Sequence, residues 1–231
     1  MAGKVGGKIV TSGLVLCLDA ANRNSYPGSG TIWRDLSGNN NNGTLTNFGA
    51  QSFFSKEVGG SIIFDGSDDY VSLGNFTGIG TSNRTICVWT KSTTATYGSY
   101  RPVTFATDDT STDTPSYTLV LGGTRADFGS GGTPYDGYIS YNSYVVGTWV
   151  FIVATINTSK TCTAYINGLS VGTATSTGTI GANSVGYLGR YNGFYGQYFQ
   201  GSIANFSLYN RVLSASEVLQ NFNATRRRFG I

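Results

Sequence analysis

Eleven short runs rich in Val, Ile, Thr and aromatic residues, none longer than ten, constrain this chain more than any other feature. They fall at 13–19, 61–65, 69–73, 84–90, 101–106, 116–122, 148–157, 161–167, 169–173, 184–189 and 200–209, and Gly, Asn and Ser crowd the gaps. β-Branched and aromatic side chains fit a pleated, half-buried surface, and runs this short suit strands better than core helices. The sharpest local signal is Asn167-Gly168 between Tyr165-Ile166 and Leu169-Ser170-Val171. That dipeptide supplies the two positive-φ positions of a tight type I′ hairpin. Many short strands with polar turns predict an all-β, two-sheet antiparallel jelly-roll sandwich.

One segment breaks the pattern. Ser214-Ala215-Ser216-Glu217 reads as a capping box, followed by Val218, Leu219 and Phe222 on one helical face. The spacing predicts one short C-terminal helix over 214–223. No repeat or linker divides the chain, and a β-sandwich of 231 residues can be a single domain. The partition is an N-terminal arm 1–12, a sandwich 13–223 and a basic tail 224–231. Within the sandwich, the Asn/Gly/Ser-rich stretch 20–50 is expected to be an ordered surface loop pinned by Trp33 and Leu36. Only 12% of residues are charged and 13% are aromatic, the reverse of a disordered composition.

Charge and cysteine usage narrow the function classes. The net charge is +3, and Arg226, Arg227 and Arg228 supply it, so the body is close to neutral and lacks the basic face of a nucleic-acid binder. Cys17, Cys87 and Cys162 are odd in number and each sits in an apolar run, which predicts reduced, buried thiols. The first twenty residues hold no uninterrupted apolar region, so synthesis in a reducing cytoplasm without a standard export signal is the expectation. No stretch approaches the ~20 apolar residues of a membrane helix. The sequons at Asn75, Asn83 and Asn157 are then chance products of a chain rich in Asn, Ser and Thr.

The motifs, taken in order, resemble a known family. GLVLCLDA (13–20), WRDLSGNNNNGTL (33–45) and GGSIIFDGSDDYV (59–71) resemble the opening half of laminin-G-like, concanavalin A-like lectin/glucanase domains. RTICVWTK (84–91), the stretch 147–173 and the stretch 188–222 are similar to the family's later strands, hairpin and closing helix. The resemblance spans 13–223 and implies the sandwich fold, with Trp33, Trp89 and Trp149 in the core. The opening motif and the ending NFNATRRRFGI also look like versions found among tailed-bacteriophage virion proteins.

The family's chemistry can be tested on the residues present. Its glucanases use two glutamates in a Glu-x-Asp-x-x-Glu arrangement, and retaining chemistry needs carboxyls ~5–5.5 Å apart. This chain has no histidine and only two glutamates, Glu57 and Glu217, neither in that motif. The adjacent pairs Asp68-Asp69 and Asp108-Asp109 would point to opposite faces if they lay on strands. No catalytic residue is assigned. Related folds often hold a structural calcium, and Asp65, Asp68 and Asp69 offer carboxylates within one turn. The last strand reads Ile203-Ala204-Asn205 where the family often has Ile-Asp-Asp, which removes one carboxylate. A polar Asx-type turn explains the same residues.

For a ligand the aromatic clusters stand out: Arg190, Tyr191, Asn192, Phe194, Tyr195 and Tyr198, with Tyr97 and Tyr100 as a second group. Such rings platform sugar faces or anchor protein interfaces. Arg226, Arg227, Arg228 and Phe229 form a candidate assembly contact, arginine forks meeting carboxylates and the ring filling a partner's pocket. The expectation is a non-enzymatic virion structural or accessory protein, a capsid decoration or fibre-type module displaying a lectin-like sandwich. Its partners would be other virion proteins, copies of itself and host-surface glycans, without nucleic acid or membrane insertion. A free carbohydrate-binding lectin and a degenerate glycan hydrolase remain as alternatives.

Overall fold

The computed structural model describes residues 7–49, 53–77, 82–94, 102–106, 115–122, 125–130, 139–177, 183–191 and 197–231. Sixteen strands occur among them. The first eight are β1 (Leu14–Asp19), β2 (Ile32–Trp33), β3 (Gly43–Thr46), β4 (Phe54–Ser55), β5 (Ser61–Asp65), β6 (Tyr70–Thr77), β7 (Arg84–Ser92) and β8 (Val103–Ala106). The rest are β9 (Pro115–Gly122), β10 (Arg125–Ser130), β11 (Ile139–Tyr141), β12 (Val150–Ile156), β13 (Thr161–Ile166), β14 (Leu169–Thr175), β15 (Asn183–Leu188) and β16 (Gln200–Tyr209). Helix α1 (Ala215–Thr225) follows.

The back sheet runs β14-β13-β12-β7-β16-β5-β4, and β1 also pairs with β16. Residues 200–203 of β16 meet β5 and residues 205–209 meet β1, so two strands share one edge in succession. The front sheet runs β11-β10-β9-β8-β15-β6-β3-β2. The described pairings are antiparallel, as the jelly-roll expectation requires. Five strands had no counterpart among the sequence runs: β2, β3, β4, β10 and β11. They are short or lack apolar alternation, and neighbouring ladders hold them instead of their own propensity.

The main core lies between the sheets. Leu16, Leu18, Ile62, Phe64, Ile86, Val88 and Ile152 face Val71, Leu73, Val103, Leu119, Phe128 and Leu188. Trp33 is fully buried within it, as expected, and the Asn167-Gly168 turn takes φ of 50° and 82°. The three cysteines are free and buried. A second apolar cluster sits on the outer side of the back sheet. There Trp89, Phe151, Val153 and Tyr209 are covered by Val10, Val218, Phe222 and Phe229, with Trp149 at its margin. Strand β7 is therefore buried on both faces, which explains why RTICVWTKS reads as apolar almost throughout.

Two sequence expectations are corrected here. Leu36 ties its loop to β1 through the backbone, its N–H donating to Cys17 O at 2.8 Å, but its side chain is 37% exposed and does not anchor it. Asp35 does: its carboxylate accepts from the backbone N–H of Cys17, Ser37 and Asn41, while Ser37, Asn39 and Asn41 side chains donate to the Val15 carbonyl. The outer edge of β1 has unpaired backbone groups, and these polar side chains take the place of a neighbouring strand.

The second correction concerns the ends of the chain. The capping box forms at Ser214 and Glu217, but α1 runs into a 3-10 turn, Arg226–Phe229, so 224–231 is no free tail. Phe229 seats in the chain's own aromatic slot: its ring stacks on Trp89 at 3.8 Å and 9°. Arg228 pairs with Asp19 at 2.7 Å and donates to the carbonyls of Val58 and Gly60. Burial of a large aromatic ring outweighs the entropy of a frayed end. The described part of the arm is docked too, since Val10 N–H donates to Asn221 Oδ1 and Val10 O accepts from Tyr209 Oη.

Candidate functional site

Three segments leave the sandwich at the same end. Gln200 stands opposite Asp65 and Gly201 opposite Ser92, while Leu188 stands between Val71 and Val103. The turn 65–70 and residues 92–94, 189–191 and 197–200 are thereby gathered together. Backbone bonds tie them: Thr93 N donates to Gln200 O at 3.2 Å, Gly189 N to Pro102 O at 3.1 Å, and Phe199 N to Gly189 O at 2.7 Å. Gly189 has φ of 87°, and a Cβ there would lie 2.3 Å from Phe64. Only glycine permits that approach.

The 65–69 turn brings its carboxylates together. One carboxylate oxygen from each of Asp65, Asp68 and Asp69 lies within 4.8 Å of the others. Asp68 and Asp69 precede β6, so strand alternation does not apply to them, and the three aspartates share the turn in which the sequence placed them. Asp65 Oδ1 accepts from Ser67 N at 2.8 Å, and Asp69 Oδ2 accepts from Asp65 N at 3.1 Å. Asp69 is 5% exposed, and burial, with Asp65 and Asp68 adding, pushes its carboxyl up to about 6. Among the described residues no cation pairs with the three. The cluster matches a hard, oxygen-seeking cation such as calcium in donor type and supplies three of the six to eight oxygens that ion takes.

Beside this turn an arginine is held between two rings. Arg190 Cζ lies 4.4 Å from the centre of Tyr70 and 4.1 Å from that of Tyr187, and the rings meet edge to face at 5.9 Å. Its Nε donates to Tyr191 O at 3.2 Å. Arg190 and Tyr191 were expected to face a ligand, yet they are 8% and 3% exposed and serve as support. Tyr198 is half-buried and bridges to Arg190 through the backbone. Asn192, Phe194, Tyr195, Tyr97 and Tyr100 lie outside the described residues. Tyr70 and Tyr187 were missed. The signal was available for Tyr70: Val71 and Leu73 point into the core, so Tyr70 and Ser72 alternate to the outer face.

Neither glutamate belongs to the 65–69 cluster, and each is engaged by a different cation. Glu217 takes both guanidinium nitrogens of Arg211, which with the Ser214 backbone N–H holds its carboxyl down at about 2. Glu57 is held below its usual range by Lys91, and it also accepts from Trp149 Nε1. Both carboxylates are occupied in structural contacts.

The sequence model described as "Concanavalin A-like lectin/glucanases superfamily" matches residues 65–219. No curated protein matches the sequence. Among solved structures, the Trypanosoma rangeli sialidase in complex with sialic acid is similar over 94% of this chain and 33% of its own, with TM-score 0.69 and 15% identity. The chain thus spans about a third of that sialidase's length. Domain 4 of AbnA, an extracellular arabinanase from Geobacillus stearothermophilus, in complex with arabinotriose, aligns over 90% of this chain and 97% of its own. Its TM-score is 0.64 at 19% identity. The binding domain of Paraclostridial Mosquitocidal Protein 1 aligns over 92% and 52%, with TM-score 0.62 and 19% identity. At these identities the likeness concerns the fold.

Proposed function

Because the chain belongs to the concanavalin A-like lectin/glucanase superfamily, we propose that it is a non-catalytic, lectin-like module that binds glycans at the loop end of its sandwich. The observation that carries this reading is the convergence of the 65–69 carboxylates with the Tyr70–Arg190–Tyr187 stack, at the end of the sandwich where residues 92–94, 189–191 and 197–200 also meet. Tyrosine rings and carboxylates brought together are what sugar recognition uses. The arabinanase domain in complex with arabinotriose, similar over nearly its full length, supports the same reading. The non-catalytic part is supported by the absence of histidine and by both glutamates being engaged elsewhere.

The finer placement is on a particle, as a capsid decoration or fibre-type component of a phage virion. It is supported by the resemblance of the opening and closing motifs, and by the docking of Val10 and of the C-terminal turn on the back sheet, away from the loop end. Electron microscopy of native particles, with density assigned to this chain, tests that placement.

Glycan-array binding followed by calorimetry tests the function. At least one oligosaccharide should bind, and Tyr70→Ala or Tyr198→Ala should weaken it at least tenfold without moving the melting temperature by more than a few degrees. Absence of any glycan ligand overturns the reading. Release of reducing ends from a bound oligosaccharide overturns its non-catalytic part.

A further inference from the structure

The outer face of the back sheet carries charge that nothing on it balances. Asp19, Glu57 and Glu217 are its carboxylates, and each is already paired, with Arg228, Lys91 and Arg211. Among the described residues Lys8, Arg226 and Arg227 are exposed and form no ion pair. Lys8 lies alongside α1, its carbonyl accepting from Gln220 Nε2 at 2.9 Å, and Arg227 is seven residues on from Gln220, on the same helical stripe.

Exposed apolar side chains interleave with these cations. Leu169, Leu219 and Ile231 are 69%, 41% and 42% exposed. Leu169 and Leu219 meet through the hairpin and helix, since Gly168 abuts Leu219 and Phe222, and Arg226 Cζ lies 5.8 Å from the Phe222 ring. Ile231 N donates to Arg226 O at 3.3 Å. Arginine beside bared leucines is an interface composition.

The geometry points to this face as a docking surface for an acidic protein segment that carries apolar side chains between its carboxylates. The inference is independent of the loop end. Charge complementarity selects the occupant, since among the described residues the charged side chains left without an ion pair on the face are cations. A second copy presenting the same face would repel. A nucleic acid would leave the three apolar side chains without partners. The residues differ from those expected of the tail: Arg228 and Phe229 are consumed internally, and Arg226 and Arg227 face outward.

Binding of the full chain to a glutamate–tyrosine copolymer, measured by interferometry at low and high salt, tests this. The copolymer should bind, weaken at high salt, and lose at least tenfold in affinity with the pair Arg226→Glu and Arg227→Glu. The pair Leu169→Ser and Leu219→Ser should reduce binding severalfold. All four side chains are exposed, so melting temperatures should hold and separate a binding defect from misfolding. Failure of the copolymer to bind, or binding undiminished in the arginine pair, overturns the inference. So does tighter binding to duplex DNA, or self-association abolished by either pair.

Discussion

The two outer surfaces of this sandwich are built from similar residue types and used in opposite ways. Under α1, Trp89, Phe229, Phe222 and Phe151 stack into one aromatic layer, and the side-chain carboxylates around it are each matched to a cation. At the loop end, tyrosines and an arginine stack as well, but three carboxylates converge with no described cation to meet them. Pairing a buried or half-buried charge stabilises a fold, whereas crowding like charges destabilises it and leaves an affinity for something else. The first surface is where stability is concentrated, and the second is where it is given up.

The contrast can be broken by substitutions on either side. Phe229→Ala should have the largest effect, destabilising the protein by about 3 kcal/mol through loss of the Trp89 stack and a cavity beneath it. Glycan binding at the loop end should be unchanged when measured below the lowered melting point. A melt that barely moves would show that the aromatic layer is not the stabilising one.

Arg228→Met keeps the stem and removes the charge. It leaves Asp19 unpaired and two carbonyls without their donor, and should destabilise by about 2 kcal/mol in chemical denaturation. An unchanged denaturation midpoint would place the C-terminal turn outside the folded unit.

The smallest effect should be opposite in sign. Asp69 in the folded state titrates near 6, above its ordinary value of 3.8. A raised carboxyl binds its proton more tightly when folded, so its ionisation costs stability as pH rises from about 4 through 6 and not below. Asp69→Asn should therefore stabilise the metal-free protein at pH 7.5 by about 1 kcal/mol and flatten that part of the pH profile. Calcium should raise the melting temperature of the native chain and not of the variant. A destabilised Asp69→Asn variant would mean that its hydrogen bond to Asp65 N outweighs the repulsion.

The wider architecture was legible where local chemistry and fold agree. Asn167-Gly168 and the Ser214–Glu217 box announced themselves because a turn and a helix start are set by a few neighbouring residues. The site was legible in part. Asp65, Asp68 and Asp69 could be picked out as carboxylates of one turn, but their approach to within 4.8 Å and the burial of Asp69 come from the fold. Arg190 looked like a ligand contact because its burial depends on Tyr70, more than a hundred residues away in sequence.

Alternation, turn dipeptides and capping residues are properties of adjacent positions, so the sequence by itself determined that this chain is a β-sandwich closed by one helix. The fate of each exposed-looking charge or ring was decided by tertiary structure alone. Asp35 serves an open strand edge, Phe229 fills a slot on Trp89, Arg228 clamps Asp19, and the Asp65 turn is left uncompensated. Each outcome depends on which group arrives from a distant segment. Electrostatic and packing energies are set by separation in space, and sequence order does not record it.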